Sequence, residues 1–578
     1  MDFLQEYKKW CASDALTKEE KEELLNIAED PKEIEERFYC ELEFGTAGLR
    51  GILRQGTNGM NVHVVRRATQ GLADYMNGIG EAAEKGVCIA YDSRNYSECF
   101  AREAACVLAA NGIRVRLFST LHSVPQLSYA VRHQGCMAGI VITASHNPSK
   151  YNGYKVYWDY GGQAAPEQAS EIYECIKKVP YFTAKTANYD EAVKDGRIGL
   201  IGEEEDQAYF EVTESVALCP DLLKKEGGKL PIVYTPLHGT GNIPVQKILH
   251  DVGITNVYVV PEQSAPDGNF PTVKAPNPED PNAFTLAMKL AEEKGAKVIL
   301  ASDPDADRLG IAVKTNEDGW AVLTGNQIAC ILLHHILEER KKAGTMPANG
   351  AVIKSIVSTN LADAIAEKNG VELINVLTGF RYISEKIDEF DKTGEKTFLF
   401  GFEESYGFLA GGFSRDKDAI CSAMLAAETC ICYAQRGMTL YDALREIYEI
   451  YGFYKEKVTS YTLEGKEGLE KIAGCMASLR GMTFEQIAGI PVVYQEDYLT
   501  DTRKYGDGRT EQIGLPKSNV LRYMLKTGDW IVVRPSGTEP KLKLYIGGNE
   551  KTEEALDAKL GSLYTECDNM LSEKLRGE

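Results

Sequence analysis

Thr143-Ala144-Ser145-His146-Asn147-Pro148 bring a hydroxyl, an imidazole and a forced turn together. The apolar run before them, Ala138-Gly-Ile-Val-Ile142, predicts a buried strand. Asn-Pro ends that strand in a turn. Ser145 is thus held at a strand end, with His146 beside it and Lys150 and Lys155 just downstream. That is how a chain presents a hydroxyl for covalent chemistry. A Ser/Asn-Pro turn without chemistry has the same local pattern, so the other loops must decide between the two.

Ser302-Asp303-Pro304-Asp305-Ala306-Asp307-Arg308 follows a second apolar run, Lys297–Leu300, and precedes Leu309-Gly-Ile-Ala-Val313. Asp303, Asp305 and Asp307 alternate along a tight loop and can converge on one hard divalent cation. An EF-hand is excluded: its sixth position needs glycine and is Arg308, and its twelfth needs glutamate and is Lys314. Three carboxylates leave room for an oxygen from another group, such as a phosphate, which suits Mg²⁺. Arg534-Pro-Ser536-Gly537-Thr538-Glu-Pro-Lys541, after Trp530–Val533, reads as an anion nest, with Lys541 and Lys543 adding charge. A β-hairpin turn has the same composition. Gly401-Phe-Glu403-Glu404-Ser405-Tyr406-Gly407, after Phe398–Phe400, offers carboxylates and a hydroxyl to sugar hydroxyls, or else a helix cap. Further strand-end loops are Phe44-Gly-Thr-Ala-Gly-Leu-Arg50-Gly51, Tyr91-Asp92-Ser93-Arg94, Leu237-His238-Gly-Thr-Gly241 and Thr378-Gly379-Phe380-Arg381. Lone histidines are more often structural than catalytic, and His238 is read that way.

These loops need strands to hold them. Short Val/Ile-rich runs (Val87–Ala90, Ile232–Tyr234, Lys297–Leu300, Ala351–Ile353, Phe398–Phe400, Trp530–Val533) alternate with helical patterns. This predicts repeated β-α units, mostly parallel sheets, and ligands at the carboxyl ends of strands. The chain has 578 residues, too many for one core. Apolar content of 44% and charged content of 26% are ordinary for globular domains. A net charge of -21 argues against nucleic acid or an anionic membrane as partner. An acidic chain that handles an anionic substrate must cluster its cations. The amphipathic start, Met1–Trp10, lacks a signal-peptide core, and no apolar run of about 18 residues exists, so a cytoplasmic location is expected. Fourteen scattered cysteines read as reduced core residues.

The expected organisation is a helical extension over 1–40, a first domain with the serine loop over 41–200, and a second with the aspartate loop over 201–314. A third domain over 315–455, a connector over 456–485 and a C-terminal domain over 486–578 follow. Glu203–Asp206 opens a helix into the second domain, and Thr315–Gly319 is a turn into the third.

With all four loops in this order, the chain resembles the α-D-phosphohexomutase superfamily, and most of all bacterial phosphoglucomutase/phosphomannomutase enzymes. The similarity runs from Phe44-Gly-Thr-Ala-Gly-Leu-Arg-Gly to about Gly548, and Tyr151-Asn-Gly-Tyr-Lys155-Val-Tyr157 and Pro266-Asp-Gly-Asn-Phe-Pro271 strengthen it. The resemblance implies four domains around a central cleft, three alike α/β mixed-sheet units and a smaller C-terminal α+β one. It implies a phosphoryl group on Ser145, and Mg²⁺ on Asp303, Asp305 and Asp307 with the Ser145 phosphate as a further ligand. Arg50, His146, Lys155 and Arg308 are expected near the transferring group, with Lys155 or His146 as acid/base. Glu403, Ser405, Thr378, Gly379 and Arg381 are expected at the sugar, and Arg534, Ser536, Gly537, Thr538 and Lys543 at the phosphate that is not reacting. Many relatives carry Lys where this chain has Arg381. The Glu-Glu-Ser-Tyr-Gly form is similar to phosphoglucomutases and favours glucose. The implied activity interconverts glucose 1-phosphate and glucose 6-phosphate, with glucose 1,6-bisphosphate as intermediate and activator, in a monomer or dimer. Phosphomannomutase, phosphopentomutase and sugar-bisphosphate synthase activities are the alternatives.

Overall fold

Ala138–Ile142 is a strand with all five residues buried, as an unbroken apolar run demands of a strand covered on both faces. The computed structural model describes residues 2–45, 48–317, 319–463, 465–536 and 541–576. Their strands form four sheets. The first runs in the order Leu49–Ile52, Tyr151–Trp158, Ala138–Ile142, Val87–Tyr91, Val115–Phe118, Ile198–Ile201. Its last four strands are parallel and the first two are added antiparallel. The second runs Trp320–Val322, Leu309–Lys314, Val298–Ser302, Ile232–Thr235, Val257–Val259, again with a parallel part and an antiparallel edge. The third runs Glu372–Val376, Gly350–Ser355, Thr397–Glu403, Gly407–Leu409. These are the three mixed α/β sheets expected.

The fourth sheet, in the C-terminal part, is antiparallel. Trp530–Pro535 lies in it, between Leu521–Leu525 and Lys541–Glu550, so this run is no part of a parallel β-α unit. Its composition could not tell the two apart. The short connection from Leu525 to Trp530 could, because a parallel neighbour needs a crossover of a dozen residues or so.

Two further expectations are corrected. The turn at 315–319 does not leave the second sheet: it joins Leu309–Lys314 to Trp320–Val322 in a hairpin. Residues 456–485 are not a connector. Phe453–Thr462 pairs along its whole length with Lys541–Glu550, and the helix Gly465–Gly481 buries Ile472, Cys475, Met476 and Leu479 in the C-terminal core. The Gly- and Glu-rich composition masked an i, i+3, i+4, i+7 apolar stripe.

The N-terminal helices Phe3–Cys11, Lys18–Leu25 and Pro31–Phe38 start at Asp2, Thr17 and Asp30, whose side chains accept backbone N–H groups of the first turns. Trp10, Leu24 and Phe38 are fully buried in the same core as the first sheet, so the extension belongs to that domain's interior. None of the fourteen cysteines forms a disulfide. Among the described residues no helix is long and apolar enough to cross a membrane.

The chain divides into two compact units. One comprises Met1–Ile328, Ser384–Phe400 and Ser405–Thr439; the other comprises Ala329–Ile383, Gly401–Glu404 and Leu440–Glu578.

Candidate active site

The serine loop is held by a buried ion pair. Asp92, at the end of strand Val87–Tyr91, accepts from its own turn at Arg94 N (2.9 Å) and from Ser97 Oγ (2.7 Å). It also meets Thr143 Oγ1 at 2.6 Å, and Thr143 Oγ1 in turn accepts Ser145 N at 2.9 Å. The Arg94 guanidinium, fully buried with Nε 3.3 Å from Asp92, donates to four carbonyls of the loop. They are Ser145 and Asn147 (from Nη2) and Pro148 and Tyr151 (from Nη1, both 3.1 Å). Ser145 sits at φ 50°, a left-handed conformation costly for a residue with a Cβ. These bonds hold it there.

The aspartate loop closes on itself. Asp303 Oδ1 accepts the N–H groups of Asp307 (3.1 Å) and Arg308 (3.0 Å). Thr240 donates to Pro304 O from both its N and its Oγ1. A Cβ at Gly239 would lie 2.4 Å from Pro304 Cα, so only glycine lets these loops meet. His238 next to it is structural, as expected: its ring nitrogens contact Ala265 O and Thr272 Oγ1.

The two loops meet. Ser145 Oγ donates to Asp303 Oδ2 at 2.7 Å and lies 3.2 Å from His146 Nδ1. Lys155 Nζ is 3.1 Å from Asp305 and 3.7 Å from Asp307. Arg308 pairs with Glu279, and its Nε is 3.9 Å from Asp307 Oδ1. Arg50 donates to Asn147 Oδ1 at 3.2 Å. Ser145, His146, Lys155, Arg50, Arg308 and the three aspartates are thus brought together in one unit.

The carboxylates carry the mark of a cation site. Asp303, Asp305 and Asp307 are fully or almost fully buried, and one ligand oxygen from each lies within 4.8 Å of the others. Asp305 Oδ1 and Asp307 Oδ1 are buried without a hydrogen-bond partner, an expensive state for carboxylate oxygens. Burial and the neighbouring carboxylates push Asp303 well up and Asp307 up. Burial opposes charge on Asp305 most strongly of any single cause, but Lys155, a hydrogen bond with Asp303 and Lys417 together outweigh it and hold this carboxyl below the usual range. An all-oxygen donor set of this kind fits Mg²⁺. Burial, followed by Arg308 and Arg50, holds His146 well below the usual imidazole range, so the ring is neutral near pH 7.

Sequence reasoning missed two participants. Lys417 Nζ reaches Asp307 Oδ2 at 3.0 Å and Asp416 Oδ1 at 2.9 Å, and Asp416 Oδ2 accepts Tyr157 OH at 2.6 Å. Arg94 was noted only as part of a strand end. The signal for Lys417 was the charge run Arg415-Asp-Lys-Asp418 directly before an apolar helix. All four of its residues are buried, which a solvated charge run would not be.

The other unit holds a second set. Strand Thr397–Glu403 runs through Gly401 and Phe402, so this segment is a strand end and hairpin turn, not a helix cap. Glu403 Oε1 accepts Gly379 N at 2.7 Å, and Thr378 Oγ1 beside it is buried without a partner. Arg381 donates to Tyr382 OH at 2.8 Å and stacks on that ring. Ser405, in the turn after Glu404, belongs to the first unit. Tyr545 hydrogen-bonds Arg534; its phenol is pushed up by burial and then by Glu404 and Glu403. Arg534 therefore lies near the Glu403–Glu404 strand end, and its Nε is buried without a partner. Lys543 is its cross-strand neighbour, and Ser536 N donates to Lys541 O at 2.7 Å. Gly537 and Thr538 lie outside the described residues.

The phosphoglucomutase/phosphomannomutase family matches this chain in four consecutive pieces. Its α/β/α domains I, II and III match residues 41–181, 207–318 and 324–451, and its C-terminal domain matches 483–559. The chain belongs to this family. A phosphoglucomutase of Staphylococcus saprophyticus is 38% identical over 88% of this chain and 91% of its own. One from Staphylococcus aureus is 37% identical over 93% and 94%. Among solved structures, the open form of parafusin, a phosphoglucomutase from Paramecium, shares the fold with a TM-score of 0.68. It is 19% identical over 93% of this chain and 96% of its own.

Proposed function

We propose that this protein is a phosphoglucomutase that interconverts glucose 1-phosphate and glucose 6-phosphate through a phosphoryl group on Ser145. The observation that carries the reading is Ser145 Oγ at 2.7 Å from Asp303, inside a buried triad with two unpartnered carboxylate oxygens. A phosphoryl group on Ser145 would set its oxygens against these carboxylates. Asp303, Asp305 and Asp307 would hold Mg²⁺, which when bound neutralises the phosphoryl oxygens and the triad together.

The chain's own residues do the rest. In the forward direction the O6 hydroxyl of glucose 1-phosphate attacks the phosphorus. The bond to Ser145 Oγ breaks, and the hydroxyl proton passes to His146 or Lys155 and from there to the departing Ser145 Oγ. Arg308 and Arg50 face the charge in transfer. The product is glucose 1,6-bisphosphate. Turned end for end, it returns its C1 phosphoryl to Ser145, and glucose 6-phosphate leaves. Glu403, Gly379, Thr378, Ser405 and Arg381 would bind sugar hydroxyls, and Arg534, Ser536, Gly537, Thr538 and Lys543 the phosphate not in transfer. The bisphosphate would also act as activator by rephosphorylating Ser145. A sugar-bisphosphate synthase would need a separate donor in stoichiometric amounts; the mutase needs only catalytic bisphosphate.

The test is Ser145→Ala. Mutase activity should vanish, and intact mass should show a phosphate on wild type and none on the variant. Chelation should stop the wild-type enzyme and Mg²⁺ should restore it. With glucose, mannose and ribose 1-phosphates side by side, glucose should give the highest kcat/KM. Activity retained by Ser145→Ala would overturn the reading.

A further inference from the structure

The C-terminal sheet holds a cluster of charges that the mutase reading does not use. Glu496, 1% exposed, accepts Arg503 Nε at 2.8 Å, Tyr498 OH at 2.9 Å and Arg522 Nη1 at 3.4 Å. Arg522 is 9% exposed, and its Nε has no hydrogen-bond partner. Lys354, 1% exposed at the end of the neighbouring α/β sheet's strand, lies 3.2 Å from Asp363 and feels the charge of Arg522. Glu496, Tyr498, Arg503, Arg522 and Asp363 line a cavity of about 370 Å³, whose walls also include Asn360, Asn375 and Tyr494. All of them lie in one compact unit.

Two features point to a ligand. First, the unmet valences are complementary. Arg522 Nε is a donor without an acceptor, while Asn375 Oδ1 is a buried acceptor without a hydrogen-bond donor. Buried polar groups are normally satisfied, and each orphan is costly. Second, two guanidinium groups of the cavity wall, Arg503 and Arg522, share the carboxylate of Glu496, and a guanidinium edge left open is a place for an anionic oxygen. The volume falls in the range of small-molecule sites.

We propose that this cavity binds a small hydroxylated organic anion, with its anionic group on Arg522 and its hydroxyl groups on Asn375 and Asp363. The anion can be a phosphate ester or a carboxylate; both have the oxygen geometry a guanidinium recognises. The site is separate from the proposed sugar and phosphate residues, yet tied to them by strand. Glu372–Val376, which carries Asn375, leads to Thr378 and Gly379, and Leu521–Leu525, which carries Arg522, pairs with the strand Trp530–Pro535 that carries Arg534.

The experiment is isothermal titration of the full-length protein with glycerol 3-phosphate, D-glycerate and glycerol. The wild type should bind at least one of the two anions, at least tenfold more tightly than glycerol. Preference between the anions assigns the group as phosphate or carboxylate. Binding should persist in Arg534→Ala, which weakens the proposed substrate phosphate site, and should fall at least tenfold in Arg522→Gln. Ile513→Trp, which fills the cavity from its wall without touching the ion pairs, should fall equally. It also decides the matter if Arg522→Gln fails to fold. No preference for either anion over glycerol would overturn the site. So would binding lost in Arg534→Ala but kept in Ile513→Trp. Neither result depends on whether the protein is a mutase.

Discussion

Arg94 shows what a single side chain must do before Ser145 can react. Its fork takes four carbonyls of one loop while Asp92 holds its Nε edge. A lysine keeps the charge but has one compact ammonium, so it cannot span the same set. Arg94→Lys should therefore let the serine loop shift and lower kcat by about 10²-fold, the scale of a misplacement near 1 Å. Ser145 should still accept phosphate, only more slowly. Steady-state kinetics with single-turnover phosphorylation checks this, and a variant with wild-type kcat would make Arg94 dispensable for placing the loop. The sequence displayed the reacting groups here better than their supports. Ser145 and the three aspartates stood out by type and spacing. Arg94 and Lys417 did not, because their roles depend on carbonyls and carboxylates distant in sequence.

At the scale of elements, the N-terminal helices and the helix Ala419–Ala434 make testable claims. Trp10 fills the first core, edge-on to Phe38 (5.7 Å), Tyr181 (5.1 Å) and Phe182 (5.0 Å). Trp10→Ala should cost about 3–5 kcal/mol, the usual range for emptying a buried aromatic site. Urea unfolding should show this loss, and little change for the exposed Leu25→Ala. Asp418 caps Ala419–Ala434, accepting Cys421 N and Tyr209 OH, both at 2.8 Å. Burial pushes its carboxyl up to about 6 from the usual 3.8. The folded state thus holds this proton more tightly than the unfolded chain. The associated stability is complete below pH 3.8 and lost as pH rises through about 6. By about 1.4 kcal/mol per unit, the loss reaches about 3 kcal/mol. The stability of Asp418→Asn relative to wild type should therefore rise by up to that amount between pH 4 and pH 7. Urea midpoints at both ends measure it, and a constant difference would contradict the raised carboxyl. Element type was legible wherever a strand was short, apolar and buried. Linkage was not: the stripe Ile472-Cys475-Met476-Leu479 hid in a Gly- and Glu-rich segment, and the antiparallel C-terminal sheet was betrayed only by its short turns.

At the scale of the molecule, the proposed chemistry is divided. The serine, the aspartate triad and their cations lie in one compact unit, and Glu403, Gly379 and Arg534 lie in the other. A reaction that moves phosphate between the two ends of one sugar needs both sets, because each end must in turn be the one that reacts and the one that is held. Arg534 is the sharpest probe of this division. Its Nε is buried without a partner, so a phosphate oxygen would satisfy a donor that the protein leaves open. Arg534→Ala should weaken glucose 1-phosphate and glucose 6-phosphate alike, raising both KM values about tenfold or more, the scale of a lost charged hydrogen bond. Phosphorylation of Ser145 should survive at raised glucose 1,6-bisphosphate, because the groups at the transferring phosphoryl lie in the other unit. The intermediate, held at one end only, should escape before it turns, and free bisphosphate should accumulate during turnover. Kinetics in both directions, with assay of released bisphosphate, reads all three effects at once. A rise in KM in one direction alone would mean that Arg534 serves only one end of the sugar. Unchanged KM values with no escape would reduce Arg534 to the structural partner of Tyr545.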